Sequence, residues 1–92
     1  MFTLKYFENE FSDGNEVKSF DTYEGAYYAM LEQFDGAAAD AGLCLPPDIA
    51  NGGDIFGYDD FAGESHHAGC IGEYEASLDY TNERWTIDEV KE

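Results

Sequence analysis

His66 and His67 stand close to Cys70, and Cys44 precedes them in the chain. Two thiolates with one or two imidazoles form the donor set of a tetrahedral zinc site. The spacing departs from the patterns such sites use, because no C-x-x-C pair is present and adjacent histidines rarely ligate one ion. The plainer reading is two partly exposed histidines and two small buried thiols. No cofactor is therefore expected, and Cys44, His66, His67 and Cys70 stand as the ligands if a metal binds. Ser65-His66 lies near Asp59 and Asp60, yet no nucleophile elbow or oxyanion loop surrounds it. The glycines lack the strand-turn-helix spacing of a P-loop or a dinucleotide fingerprint. The stretch from Asp13 to Glu24 fails as a calcium loop, with Val17 and Lys18 where an oxygen ligand and a glycine are needed. The chain is not read as an enzyme.

Carboxylates carry the stronger pattern. Glu73, Glu75 and Asp79 alternate with apolar residues, which places them on one face of a strand, about 7 Å apart at each two-residue step. That spacing is on the scale of phosphates along a nucleic-acid strand. Glu8, Glu10, Asp13 and Glu16 add charge early in the chain, and Asp54, Asp59, Asp60 and Glu64 add more near its middle. Arg and Lys side chains that line a nucleic-acid channel pair with carboxylates as they do with phosphate oxygens. The plainer reading is a solvated strand face. Tyr58-Asp59-Asp60-Phe61 mixes rings with carboxylates, a composition suited to an interface anchor. A loop ring folded back on the core explains the same residues.

The whole-chain charge decides between these readings. The chain has 92 residues, 21 acidic and four basic, for a formal net charge of −17. Nucleic-acid binding needs cations to neutralise phosphates, so direct contact with DNA or RNA is excluded, and an anionic membrane surface is disfavoured. Disorder is excluded as well, because 43% of residues are hydrophobic and 16% aromatic, whereas disordered acidic chains are poor in aromatics. Seven Phe, seven Tyr and one Trp exceed what so small a core needs, and Tyr27, Tyr28, Phe56, Tyr58 and Phe61 cannot all be interior. The N-terminus lacks the apolar stretch and cleavage site of a signal peptide, and no run approaches a membrane span. A cytoplasmic protein with reduced cysteines and no Cys44–Cys70 disulfide is expected.

The elements that must position these groups follow from periodicity. Phe2 to Phe7 alternates as a strand, with Phe2, Leu4 and Tyr6 on one face. Ser12-Asp13-Gly14-Asn15 is a turn, and Glu16 to Phe20 returns as a hairpin partner. Asp21 or Thr22 caps a helix, Asp21 having capping-box spacing to Glu24. Tyr23, Ala26, Tyr27, Met30, Leu31 and Phe34 form one apolar stripe, and the helix stops near Gly42. Residues 43–70 read as a Gly/Pro-rich surface loop in which Asp54 to Tyr58 could be a short strand. Ile71 to Tyr80 reads as a strand with Tyr74, Ala76, Leu78 and Tyr80 inward. Arg84 to Val90 returns with Trp85 and Ile87 inward. The expectation is one α+β domain over residues 1–92, ordered β-β-α-loop-β-β, with about four antiparallel strands and one amphipathic helix on one face.

With this short, acidic hairpin-helix-hairpin plan, carried locally by Glu16 to Phe34 and Cys70 to Tyr80, the chain resembles the small acidic inhibitor proteins of phages and mobile elements, the anti-CRISPR and antirestriction DNA-mimic groups. The resemblance implies a non-catalytic, stoichiometric inhibitor acting in the host bacterial cytoplasm. Such a protein binds a CRISPR surveillance complex or restriction enzyme and blocks its DNA path, in some cases by mimicking phosphates. The expected partner is thus a basic protein surface, with Glu73, Glu75, Asp79, Asp59, Asp60 and Tyr58 as the contact residues. Two alternatives stay open: a small zinc-binding regulatory or scaffold module, and an acidic partner of a basic toxin.

Overall fold

Apolar residues at every second position build strand β1 (Phe2–Phe7) in the computed structural model, which describes residues 1–9, 13–43, 49–59, 61–79 and 81–90. Leu4 is fully buried, and Phe2 and Tyr6 pack against the core from the same face. β2 (Asn15–Phe20) returns antiparallel to β1, with one extra residue, Val17, between the partners of Leu4 and Lys5. The turn into β2 requires Gly14: its φ is +88°, and a Cβ there would lie 2.7 Å from the Phe7 ring. Expectations that concern residues 10–12, 44–48, 60, 80 and 91–92 lie outside the described residues.

Helix α1 (Tyr23–Asp40) begins at Thr22, whose extended backbone leaves its hydroxyl free to accept the Gly25 N–H at 3.2 Å. Thr22, rather than Asp21, is thus the cap. The helix ends where the glycine signal placed it. Gly42 has φ +80°, its N–H donates to Ala39 O, and the Leu43 N–H donates to Ala38 O at 2.9 Å. These two bonds satisfy carbonyls that the helix end leaves unpaired. Ala26, Met30, Phe34 and Ala38, one per turn, are fully buried. Tyr23, Tyr27 and Leu31 flank that line as half-buried residues.

After a short 3-10 turn at Ile49–Asn51, the chain forms β3 (Gly53–Asp59), β4 (Glu64–Ile71), β5 (Glu75–Leu78) and β6 (Glu83–Glu89). One antiparallel sheet results, in the order β2-β1-β6-β5-β4-β3. The α+β architecture with a single described helix agrees with expectation, but the sheet has six strands rather than about four. Most of the missing pair lies in the segment read as a surface loop. Glycines at 53, 57 and 69 interrupt the hydrophobic alternation there, and among the described side chains of β3 only Ile55 is a buried large apolar one. What holds this hairpin is backbone pairing along its whole length, which side-chain periodicity does not report. Gly69 matters in a specific way: a Cβ there would collide with the Ser77 carbonyl oxygen of the neighbouring strand.

α1 packs mainly over β2, β1, β6 and β5, so one face of the sheet is covered and the other is not. Trp85 is the hub of the covered face. Its ring meets Phe34 edge-on at 5.9 Å, lies 5.3 Å from Tyr6, and its indole N–H donates to Gln33 Oε1 at 3.0 Å. The polar handle of the largest core side chain is therefore satisfied where it is buried. No described helix is long and apolar enough to cross a membrane.

Candidate functional site

The face of the sheet turned away from α1 carries polar side chains from every strand. Pairing across the strands sets Asp54 beside Cys70, Phe56 beside His67, Cys70 beside Ser77, Glu75 beside Thr86, and Thr86 beside Lys5. A bulge decides who belongs to this face. Between Ile55 and Phe56, β4 moves from Gly69 to His67, so Ala68 is an extra residue. Strict alternation from the buried Ile71 would aim His67 at the helix side. The extra residue turns it to the uncovered face instead.

There the imidazole is held on both sides. Nε2 lies 3.0 Å from Asp54 Oδ1, and Nδ1 bonds to Asp79 Oδ2. Two carboxylate acceptors require both ring nitrogens to donate, so the geometry fits the imidazolium. The hydrogen bonds that His67 donates to Asp79 and to Asp54 push its pKa above its ordinary value. The Phe56 ring meets the imidazole edge-on at 5.7 Å.

The expected row of carboxylates is rearranged by the length of β5. Because the strand runs only from Glu75 to Leu78, Glu73 falls in the turn before it, where its carbonyl accepts the Tyr23 hydroxyl proton. Glu75 projects from the strand itself, and Asp79 is occupied by His67. Tyr74, expected inward, is 49% exposed, while Ala76 and Leu78 are buried as expected. Tyr58 and Asp59 close β3, and Asp60 and Tyr80 lie outside the described residues. Phe61 is wholly exposed, so its ring does not fold back on the core, and Tyr28 and Phe56 are more than half exposed.

The zinc candidates are not assembled. His66 and His67 are consecutive in a strand and project to opposite faces. Cys70 shares the face of His67, with its sulfur 3.5 Å from Ser77 Oγ, and Cys44 lies outside the described residues. Among the described residues, no three His, Cys, Asp or Glu side chains are grouped to hold a metal ion.

The three described lysine and arginine side chains sit on the sheet and are engaged locally. Lys5 Nζ is 3.9 Å from Asp88 Oδ2, Lys18 lies 5.5 Å from the Phe20 ring centre, and Arg84 lies 4.3 Å from that of Phe7. At the other side of the molecule, a group of tyrosines surrounds the start of α1. Tyr23 lies 5.9 Å from Tyr27 and 5.1 Å from Tyr74, with the planes tilted in each pair, and Tyr27 stacks on Tyr28 at 6.0 Å. Burial, then the nearby Glu73 carboxylate, raises the Tyr23 pKa. Burial is also the main cause of a raised Tyr27 value and of a Tyr6 value near 12, where the hydrogen bond to Glu83 adds to it. All three phenols are neutral at physiological pH.

Sequence reasoning missed Asp54 as a partner of His67 and the convergence of Tyr23, Tyr27 and Tyr74. The first depends on the bulge, which has no reliable sequence mark beyond the Ala68-Gly69 pair. The second depends on a turn from the far end of the chain meeting the helix start. Neither a protein-family model, nor a curated protein, nor a solved structure matches this chain.

Proposed function

We propose that this protein is a stoichiometric, non-catalytic inhibitor that occupies the basic nucleic-acid-binding site of a host defence complex, a CRISPR surveillance complex or a restriction enzyme, and blocks access of DNA to it. The observation that carries this reading is the charge: −17 on 92 residues, with Lys5, Lys18 and Arg84 each engaged locally. A field of that sign steers the protein toward Lys/Arg-lined channels and away from nucleic acid itself. Exposed Phe56, Phe61 and Tyr28 supply rings that hold a complex once charges have brought it together. Glu73, Glu75, Asp79, Asp59, Asp60 and Tyr58 remain the proposed contact residues, and the site of action is the cytoplasm of the host bacterium.

The test is direct competition. Purified surveillance complexes and restriction enzymes are incubated with the protein, and target-DNA binding is read by fluorescence anisotropy. Loss of DNA binding that saturates at one equivalent, in at least one system, supports the reading. Unchanged DNA binding across the panel at a large excess of protein overturns it.

A further inference from the structure

The tyrosines at the start of α1 enclose something more specific than a sticky surface. Tyr23 and Tyr27 from the helix, Asn51-Gly52-Gly53 leading into β3, and Ile71-Gly72-Glu73 at the end of β4 line a pocket of about 370 Å³. That volume lies in the range of small-ligand sites. We infer that this pocket receives a single cationic side chain, a guanidinium or ammonium group presented by a basic polypeptide. This deepens the inhibitor reading by naming what its partner must insert, and it rests on that reading for the identity of the partner as a protein.

Three features support a cation rather than a neutral guest. Two of the lining residues are aromatic, Tyr23 and Tyr27, with their ring planes tilted 59° from one another. An aromatic ring beside a cation attracts it through its quadrupole, most strongly when water is excluded. An acidic residue, Glu73, is among the lining residues, and its charge lies close enough to the Tyr23 phenol to help raise its pKa. Glu24, in the first turn of α1, also offsets the positive end of the helix dipole, which would otherwise repel the guest. Gly52 and Gly53, finally, line the pocket with backbone alone, which leaves room for a long side chain to enter. They have φ of +88° and +135°, and a Cβ on Gly52 would lie 3.2 Å from the Ile71 carbonyl oxygen, so a larger residue there is both strained and crowded.

The Tyr23 hydroxyl donates to the Glu73 backbone carbonyl, tying the β4–β5 turn to the start of the helix and fixing two walls of the pocket relative to one another. Lys5, Lys18 and Arg84 are engaged elsewhere, so none of these three side chains competes for the space. Walls held in place before binding lose less entropy when a guest enters.

The experiment is an NMR titration of the ¹⁵N-labelled protein with N-acetyl-arginine amide, against the citrulline analogue, which keeps the shape and lacks the charge. Saturable shifts centred on Tyr23, Tyr27, Gly52 and Gly72, seen with arginine and absent with citrulline, support the pocket. Glu73→Gln should weaken that binding about three- to tenfold while leaving the rest of the spectrum in place, and Tyr27→Leu should do the same if it folds. Equal shifts from both analogues, shifts scattered over the acidic surface, or no saturable shifts overturn the proposal. Failure of the inhibitor reading is distinguishable: arginine would still bind the pocket while DNA binding by every defence complex stayed intact. Conversely, inhibition with no arginine response would leave the reading standing and remove the pocket.

Discussion

His67 and Asp79 meet across the end of β5, and the same imidazole reaches Asp54 on β3 through its other nitrogen at 3.0 Å. One side chain on β4 thus ties the edge strand β3 to the end of β5. The pairing works only for the imidazolium, whose two N–H groups face two acceptors. Its folded pKa is raised, so its stabilisation is fully present below the unfolded histidine value of about 6.5 and is lost as pH rises through the folded value. The stability difference between wild type and His67→Gln, from urea denaturation, should be largest under mildly acidic conditions and vanish in alkali. In NMR titrations of the His67 ring, Asp79→Asn should lower its pKa more than Asp54→Asn. A wild-type His67 titrating at the model-peptide value would contradict the bridge.

Two glycine-to-alanine changes should act in opposite directions. At Gly69 the new methyl collides with the Ser77 carbonyl oxygen, and overpacking of this kind costs about 1–3 kcal/mol. At Gly36, inside α1, nothing lies within 4 Å of the new methyl, and alanine should stabilise the helix by roughly 0.5–1 kcal/mol. Denaturant midpoints of the two variants check both signs, and Gly69→Ala matching the wild type would remove the close approach of β4 and β5.

Salt should stabilise the fold. Screening shortens from about 30 Å at 0.01 M ionic strength to about 3 Å at 1 M, which relieves repulsion among 21 acidic side chains opposed by only four basic ones. The same change weakens the His67 bridge and the Lys5–Asp88 pair, but these are few. Thermal melts followed by circular dichroism should therefore move upward as sodium chloride is raised. A melting temperature that stays flat or falls would mean that local pairs outweigh the net charge.

Charge reversal on the exposed acids should alter encounter more than stability. Glu73 lies in a turn and Glu75 on the uncovered face of β5, both exposed. Converting both to lysine should change folding stability by no more than about 0.5 kcal/mol. Against a sensitive defence complex, the double variant should associate more slowly, the signature of steering charges, and dissociate faster as well, because Glu73 also lines the tyrosine pocket. Biolayer interferometry at two salt concentrations separates the two rates. Unchanged association would remove this face from the contact surface.

The near-neutral cost expected at Glu75, against the sharp cost expected at Gly69, reflects how the fold is encoded. β1, β2, the stripe of α1, its glycine stop at Gly42 and the inward pair Trp85 and Ile87 were all legible in the chain. Each is a local matter: periodicity over a few residues, or a backbone conformation that glycine alone adopts easily. The acidic surface was legible for a simpler reason, since charge is a sum over residues wherever they lie. The β3–β4 hairpin was not legible, because glycines break its alternation and its strength lies in backbone pairing. Nor was the fate of the carboxylates. Whether Asp79 is a solvated charge or a partner of His67 turns on one bulged residue, Ala68, and whether Glu73 extends a strand or rims a tyrosine pocket turns on where β5 begins. These are relations among segments distant in sequence, and a residue's type constrains them only after the register between strands has been set.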